Sequence, residues 1–388
     1  MSALIAGYAR TPFVKYNGVF AAVPATALGA HAIAAALANA GVAPDAVQYV
    51  FGGQVVQAGA GQNPARQAAV GAGIPFAVPA VTLNAVCLSG MLAVSAAAQL
   101  IEGGGADVVV AVGQESMSRA PHAWPGSRVG KKYGAIELLD TLEVDGLSDA
   151  FEKTSMGAST EEHGRGLGIT RAEQDAWSAE SHRRLAAGRE FLAGEIAAYE
   201  VAGRGGSTAY ELDDGLREDT TVETLSRLRP AFSPDGAITA GNSSQVTDGA
   251  AAIVLVSERY ARAQAPIARV SAHAFVAGPD VSLHAQPANA IAAALSTAGL
   301  PASELGAIEI NEAFAAVAVH STRLLGADPA IVNAHGGAIA LGHPIGASGT
   351  RIVGHLARRL AALGSGALGA AGICGGGGQG AALVLESV

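Results

Sequence analysis

The feature that most constrains this chain is that it repeats itself. HAIAAALANAGVAPDAVQYV, beginning at His31, returns as NAIAAALSTAGLPASELGAI at Asn289, with Ile33 against Ile291, Leu37 against Leu295, Gly41 against Gly299 and Val50 against Ile308. The offset is 258 residues (291 less 33), and a second match follows at 259 (348 less 89), where Cys87-Leu-Ser-Gly and its helix align with Gly346-Ala-Ser-Gly and its helix. The strand Val108 to Gly113 then aligns with Leu368 to Gly372, and GAAAIVLVS at Gly249 with GAALVLES at Gly380. A nearly constant offset over the first three blocks, with the fourth in the same order, describes two related halves, each alternating strands with helices. Such alternation predicts an α/β fold with helices packed on largely parallel sheets. Local signals agree: the Ala-rich helix Ala27 to Ala40 stops at Gly41, and a Val-Ala-Pro-Asp turn leads into a strand from Val47 to Phe51.

The repeat also exposes an insertion. Between the matched strands the first half runs from 113 to 249 and the second only from 372 to 380, so about 128 residues have been added to the first half. The chain therefore divides into an N-terminal half, 1–118, completed by 246–268; an inserted loop domain, 119–245; and a C-terminal half, 269–388. The insertion holds both Trp residues and charged helices such as Arg171 to Glu190, whose charges read as solvated surface.

Composition narrows the function classes. A chain of 388 residues, 50% hydrophobic and 15% charged, can bury a large core. A net charge of -9 argues against nonspecific binding to nucleic acid or an anionic membrane. No apolar run approaches the roughly 20 residues that span a bilayer. Two cysteines cannot make a disulfide framework, and the opening MSALIAGYARTPF lacks the pattern of a signal peptide, so a cytoplasmic, reducing location is expected.

Four places can carry chemistry: Cys87, Asn311-Glu312-Ala313-Phe314, the run from His335 through His343-Pro-Ile-Gly, and Cys374-Gly-Gly-Gly-Gly-Gln-Gly. Cys87 stands where an extended run, Val78 to Ala85, gives way to a long apolar helix. At a helix head the unpaired N–H groups and the positive end of the dipole lower a thiol pKa, which suits a nucleophile; a packed, inert thiol is the plainer alternative. The repeat places three of the four sites at corresponding ends of the halves, where they can share one pocket. A Cys beside a His is the arrangement for covalent acyl transfer, and Gly-rich backbone lets N–H groups converge on an oxyanion. The Gly-rich runs lack the lysine of a phosphate-binding loop and the helix and acidic partner of a dinucleotide site. Two distant Cys and no close His pair give no metal site.

The motifs ARTPF near the start, NAVCLSG at Cys87, GQESMSRAPH at Gly113, SMG at Ser155, LRPAFSPDGAITAGNSSQVTDGAAA at Leu228, NEAFA at Asn311, GGAIALGHPIGASG at Gly336 and CGGGGQG at Cys374 occur in that order. Over its whole length the chain resembles the thiolases, acetyl-CoA acetyltransferases and 3-ketoacyl-CoA thiolases. The resemblance implies a thiolase fold, two duplicated βα halves in a layered αβαβα arrangement with an inserted loop domain that helps bind CoA. It implies that Cys87 is the nucleophile that becomes acylated and His343 the base that activates it. Cys374 would be the acid/base at the α-carbon and at CoA sulfur. Asn311 would hold a water that, with His343, stabilises the enolate oxygen, and the backbone N–H groups of Cys87 and Gly376 would form a second oxyanion hole. For CoA it implies Ser244 near the pantetheine, Met156, Phe232, Ala313 and Phe314 as apolar walls, and Arg217 near the adenine. Two cysteines have a physical rationale, since one thiol cannot be acylated and act as a base at once.

The expected activity is ping-pong acyl transfer between acyl-CoA, acetyl-CoA and CoA, in thiolysis or Claisen condensation. CoA enters as substrate and product, with no tightly bound cofactor and no metal. A homotetramer or homodimer is expected from the family. Two departures stand out: Ser155 where short-chain biosynthetic thiolases often carry His, and His335 where many relatives have Asn. The rival readings are a ketoacyl-synthase-like condensing enzyme, disfavoured by Cys374, and a silent acyl-CoA-binding or lipid-binding protein, disfavoured because Cys87, His343 and Cys374 are all present.

Overall fold

A computed structural model of the chain describes residues 2–203, 206–263 and 265–388. Its main sheet runs, edge to edge, through Leu305–Ile310, Leu368–Gly375, Gln379–Ser387, Ala268–Ala277, Ala3–Arg10, Thr247–Ser257, Val108–Ser116, Tyr49–Gly53 and Ala80–Leu83. The duplication read from sequence is visible in this order. In the first half Tyr49–Gly53 is parallel to Val108–Ser116, which is antiparallel to Thr247–Ser257, itself antiparallel to Ala3–Arg10. In the second half Leu305–Ile310, Leu368–Gly375, Gln379–Ser387 and Ala268–Ala277 repeat that sequence of ladders. A bridge from Ile308 to Val332 stands where the first half has the ladder to Ala80–Leu83. The halves join where Leu4 and Ile5 pair with Arg269 and Ala268.

The expectation of largely parallel sheets needs correction, because each half is mixed. A strand can return antiparallel without a crossover helix. In the second half it does so across the short turn between Gly375 and Gln379; in the first half the whole insertion occupies that turn.

The strands Val108–Ser116, Thr247–Ser257 and Gln379–Ser387 are buried on both faces, and successive residues feed different cores. Val109, Ala111, Ile253, Leu255, Leu383 and Leu385 face inward, onto the two matched helices Ser89–Glu102 and Ser348–Leu363. Val108, Val110, Val112, Val254 and Val256 face outward, onto the helix Ala25–Ala40. Ala382 and Val384 face outward in the second half, onto Gln286–Ala298. Helix, sheet, paired helices, sheet, helix is the layered order expected for a thiolase fold.

The inserted segment lies outside the main sheet. It includes the helices Met156–Gly164 and Arg171–Ala187 and the short ladder between Tyr199–Gly203 and Gly206–Tyr210. Not all its charges are solvated. Buried Arg10 of the first strand pairs with Glu195 at 2.6 Å and with Asp213 at 2.6 Å, and buried Glu312 accepts from Trp177 Nε1 at 2.9 Å and Ser181 Oγ at 2.8 Å. These contacts anchor the insertion to both halves. Among the described residues, no helix is long and apolar enough to cross a membrane.

Candidate active site

The site forms where the two central helices approach each other at their N-terminal ends. Glycine makes the approach possible: a Cβ on Gly90 would stand 2.6 Å from the carbonyl oxygen of Gly346, and one on Gly349 would stand 2.4 Å from the amide nitrogen of Met91. The residues just before these helices, Cys87 and His343, are thereby brought to one cavity. It is lined by Val86, Gly146, Leu147, Met156, Ser244, Leu283, Ala313, Phe314, Ile345, Cys374 and Gly376 as well. Cys374 comes from the end of Leu368–Gly375, in register with Gly380 across the hairpin.

Cys87 follows a sharp turn. Val86 sits at φ 52, a left-handed conformation rarely adopted by a β-branched residue. Ala85 N donates to Ser89 Oγ at 2.9 Å, and Ser89 Oγ donates to the Val86 carbonyl at 2.6 Å, fixing the turn against the helix. The backbone N–H groups of Cys87 itself and of Gly376 both face the Cys87 sulfur and favour its thiolate.

His343 is buried and held through both its backbone and its ring. Its backbone N–H donates to the Gln245 carbonyl at 3.0 Å and to Thr247 Oγ1 at 3.2 Å. Nδ1 lies 2.6 Å from Ser348 Oγ, and Nε2 lies 3.4 Å from the amide nitrogen of Asn311. The loop after His343 is pinned by Glu115, whose carboxylate accepts from the N–H of Gly346 at 2.9 Å, Val55 at 3.0 Å and Val56 at 3.2 Å.

The electrostatics correct one expectation. The helix head does not lower the Cys87 pKa: burial, helped by the nearby Glu115 charge, outweighs the two N–H groups and pushes it up to about 12. Burial foremost, and then the Arg351 charge, holds His343 down at about 3. The resting pair is thus neutral thiol and neutral imidazole. Burial and then the Cys87 charge push Cys374 upward as well. Burial raises Glu115 to about 8, against its three N–H donors.

Of the residues singled out from sequence, Cys87, His343, Cys374, Gly376, Ser244, Met156, Ala313 and Phe314 line this cavity, and Asn311 touches it through His343. Phe232 stands behind Phe314, ring centroids 6.3 Å apart and edge to face. Arg217 is exposed and not among the lining residues; its backbone N–H donates to His182 Nδ1 at 3.2 Å. His335 faces elsewhere, stacked on Phe191 at 4.2 Å with Nδ1 3.2 Å from His355 Nε2. Ser155 caps the helix Met156–Gly164, accepting from Ala158 N at 3.2 Å. Sequence reasoning did not single out Leu283, Leu147, Ile345, Glu115 or Ser348. The last three lie inside motifs quoted for the resemblance; Leu283 carries no local signal.

Sequence-family profiles match almost the whole chain: the thiolase N-terminal domain over residues 3–259 and the thiolase C-terminal domain over 264–387. A probable acetyl-CoA acetyltransferase of Mycolicibacterium smegmatis is 51% identical over 388 residues, 99% of this chain and 100% of the relative. The acetyl-CoA acetyltransferase of Pseudomonas aeruginosa is 44% identical over 387 residues, 98% of each chain. The mitochondrial acetyl-CoA acetyltransferase A of Xenopus laevis is 41% identical, covering 99% of this chain and 92% of its own.

Proposed function

The chain belongs to the thiolase family and is a CoA-dependent acyltransferase, and from that premise we propose that it acts on short acyl groups, with acetyl-CoA and acetoacetyl-CoA as substrates. The observation that carries this is the small apolar cavity beside Cys87, about 60 Å³ and walled by Leu147, Ile345, Met156, Leu283 and Phe314. The names of the relatives point the same way.

In this reading acyl-CoA enters past Ser244, Met156 and Phe232. Cys87 attacks the thioester carbonyl while its proton passes to His343 Nε2. The carbonyl oxygen, now negative, is received by the N–H groups of Cys87 and Gly376, and CoA leaves as the thiol with the proton that Cys374 gives its sulfur, which leaves Cys374 as the thiolate. In condensation Cys374 then removes a proton from the α-carbon of a second acetyl-CoA. In thiolysis it protonates that carbon as the carbon–carbon bond breaks. Asn311 supports the enolate oxygen. Its Oδ1 is buried with no partner among the described residues, an atom that water readily satisfies. Arg217, exposed beside the insertion's helix, contacts the adenine end of CoA.

We assign the three segments as above, with 119–245 as the CoA-binding insertion. The exposed apolar side chains Val129, Tyr133, Ile136, Leu138 and Phe151 support a homo-oligomer, dimer or tetramer, because a monomer would leave them in water. Two free thiols in one working site, Cys87 and Cys374, favour the reducing cytoplasm.

The test is steady-state thiolysis of 3-ketoacyl-CoA esters of increasing length. Parallel reciprocal plots, with kcat/KM highest for acetoacetyl-CoA, are expected. Preference for long chains would overturn the short-acyl assignment.

A further inference from the structure

The duplication supplies a comparison within one molecule. Ser89 and Ser348 open the two central helices at matching positions. Ser89 Oγ accepts from Ala85 N, a group that can only donate, so its own proton goes to the Val86 carbonyl three residues back. Ser348 Oγ likewise faces a carbonyl behind it, that of Pro344, at 3.0 Å. Its other contact is His343 Nδ1 at 2.6 Å.

A hydroxyl has one proton to give. With it on the Pro344 carbonyl, as its counterpart's is on Val86, Ser348 Oγ can only accept from His343. Nδ1 must then carry the hydrogen, and Nε2, the nitrogen beside Asn311, holds the free lone pair. Nδ1 has no other partner among the described residues, and Ser348 is itself buried.

We propose that Ser348 is a positioning residue that fixes the tautomer of His343, so that Nε2 and not Nδ1 receives the Cys87 proton. This rests on the reading of His343 as the base. As the S–H bond breaks and the sulfur pair attacks the carbonyl, the new N–H bond forms at Nε2. The Nδ1 hydrogen stays where it is, so the imidazolium keeps its bond to Ser348. In the first half the same hydroxyl only shapes the turn around the nucleophile; in the second, it orients the base.

The experiment compares wild type, Ser348→Ala, Ser348→Thr and His343→Ala. Iodoacetamide alkylation is followed on the Cys87 peptide from pH 6 to 10, alongside ¹⁵N spectra of histidine-labelled protein. The expected result is a slow His343→Ala, a Ser348→Ala slowed by roughly 10- to 100-fold, recovery in Ser348→Thr, and a wild-type His343 resonance protonated at Nδ1, assigned by its loss in His343→Ala. Normal alkylation of Ser348→Ala beside a slow His343→Ala overturns the role of Ser348 while leaving the base. Normal alkylation of His343→Ala removes the base and the proposal with it. Should Ser348→Ala fail to fold, the wild-type spectrum decides: a proton on Nε2 and none on Nδ1 overturns the proposal.

Discussion

The amide nitrogen of Asn311 stands 3.4 Å from Nε2 of His343, and both residues are buried. One comes from the end of the strand Leu305–Ile310 and the other from the loop before the helix Ser348–Leu363, so the contact exists only because strand and helix pack in the same half. The amide N–H thus meets the ring nitrogen of His343, which itself lines the cavity beside Cys87. That arrangement suits an oxygen that becomes negative there.

Asn311→Ala is therefore expected to slow carbon–carbon bond formation and cleavage by about 100-fold, the scale of losing one preorganised donor. Release of CoA in the first acylation should change little. Rapid-quench measurement of the first turnover, set beside steady-state condensation, separates the two; an equal loss in both would place Asn311 in the acylation step.

The two cysteines should fail differently. Cys87→Ala is expected to abolish every exchange, whereas Cys374→Ala should still form the acyl-enzyme and release CoA while condensation and thiolysis fall to background. Exchange of labelled CoA into acetyl-CoA checks the first half of the sequence, and acetoacetyl-CoA cleavage checks the second.

Because burial pushes the Cys87 thiol up to about 12, its alkylation should rise continuously between pH 6 and 10 with no plateau. A preformed thiolate–imidazolium pair would give a plateau beginning below pH 7. Alkylation rates mapped to the Cys87 peptide distinguish these.

Acid should destabilise the fold before carboxylates are titrated. Burial holds His182, His284 and His335 at about 4 and His343 at about 3, against about 6.5 in an unfolded chain. Over that window the unfolded state binds more protons, so stability is complete above about pH 6.5 and is lost as pH falls toward 4 and 3. Glu115, raised to about 8, acts oppositely: its contribution is complete below about 4.5 and lost as pH rises through 8. Urea midpoints from pH 4 to 9 are expected to peak near neutrality. His284→Gln should flatten the acid limb.

What could be read in the sequence was whatever recurs or lies close along the chain. The matched blocks at His31 and Asn289, and at Cys87 and Gly346, appear in the structure as equivalent helices and strands, and the turn-to-helix position of Cys87 is where the pattern put it. The direction of the Cys87 pKa was misread because a helix head is a local feature, while the burial that outweighs it is supplied by Met156, Leu283, Ile345 and Phe314 from four distant segments. The orientation of His335 was equally hidden, since Phe191 and His355 determine it. Ser348 lay in plain view inside a motif, but its meaning depends on which nitrogen of His343 it meets.

The most direct measurement is the intact mass of the protein after incubation with acetyl-CoA, with the adduct mapped by peptide. A single acetyl group on Cys87, absent in Cys87→Ala and removed by added CoA, is expected. Binding of acetyl-CoA with no covalent adduct, or an adduct on Cys374 instead, would contradict the assignment of Cys87 as the nucleophile.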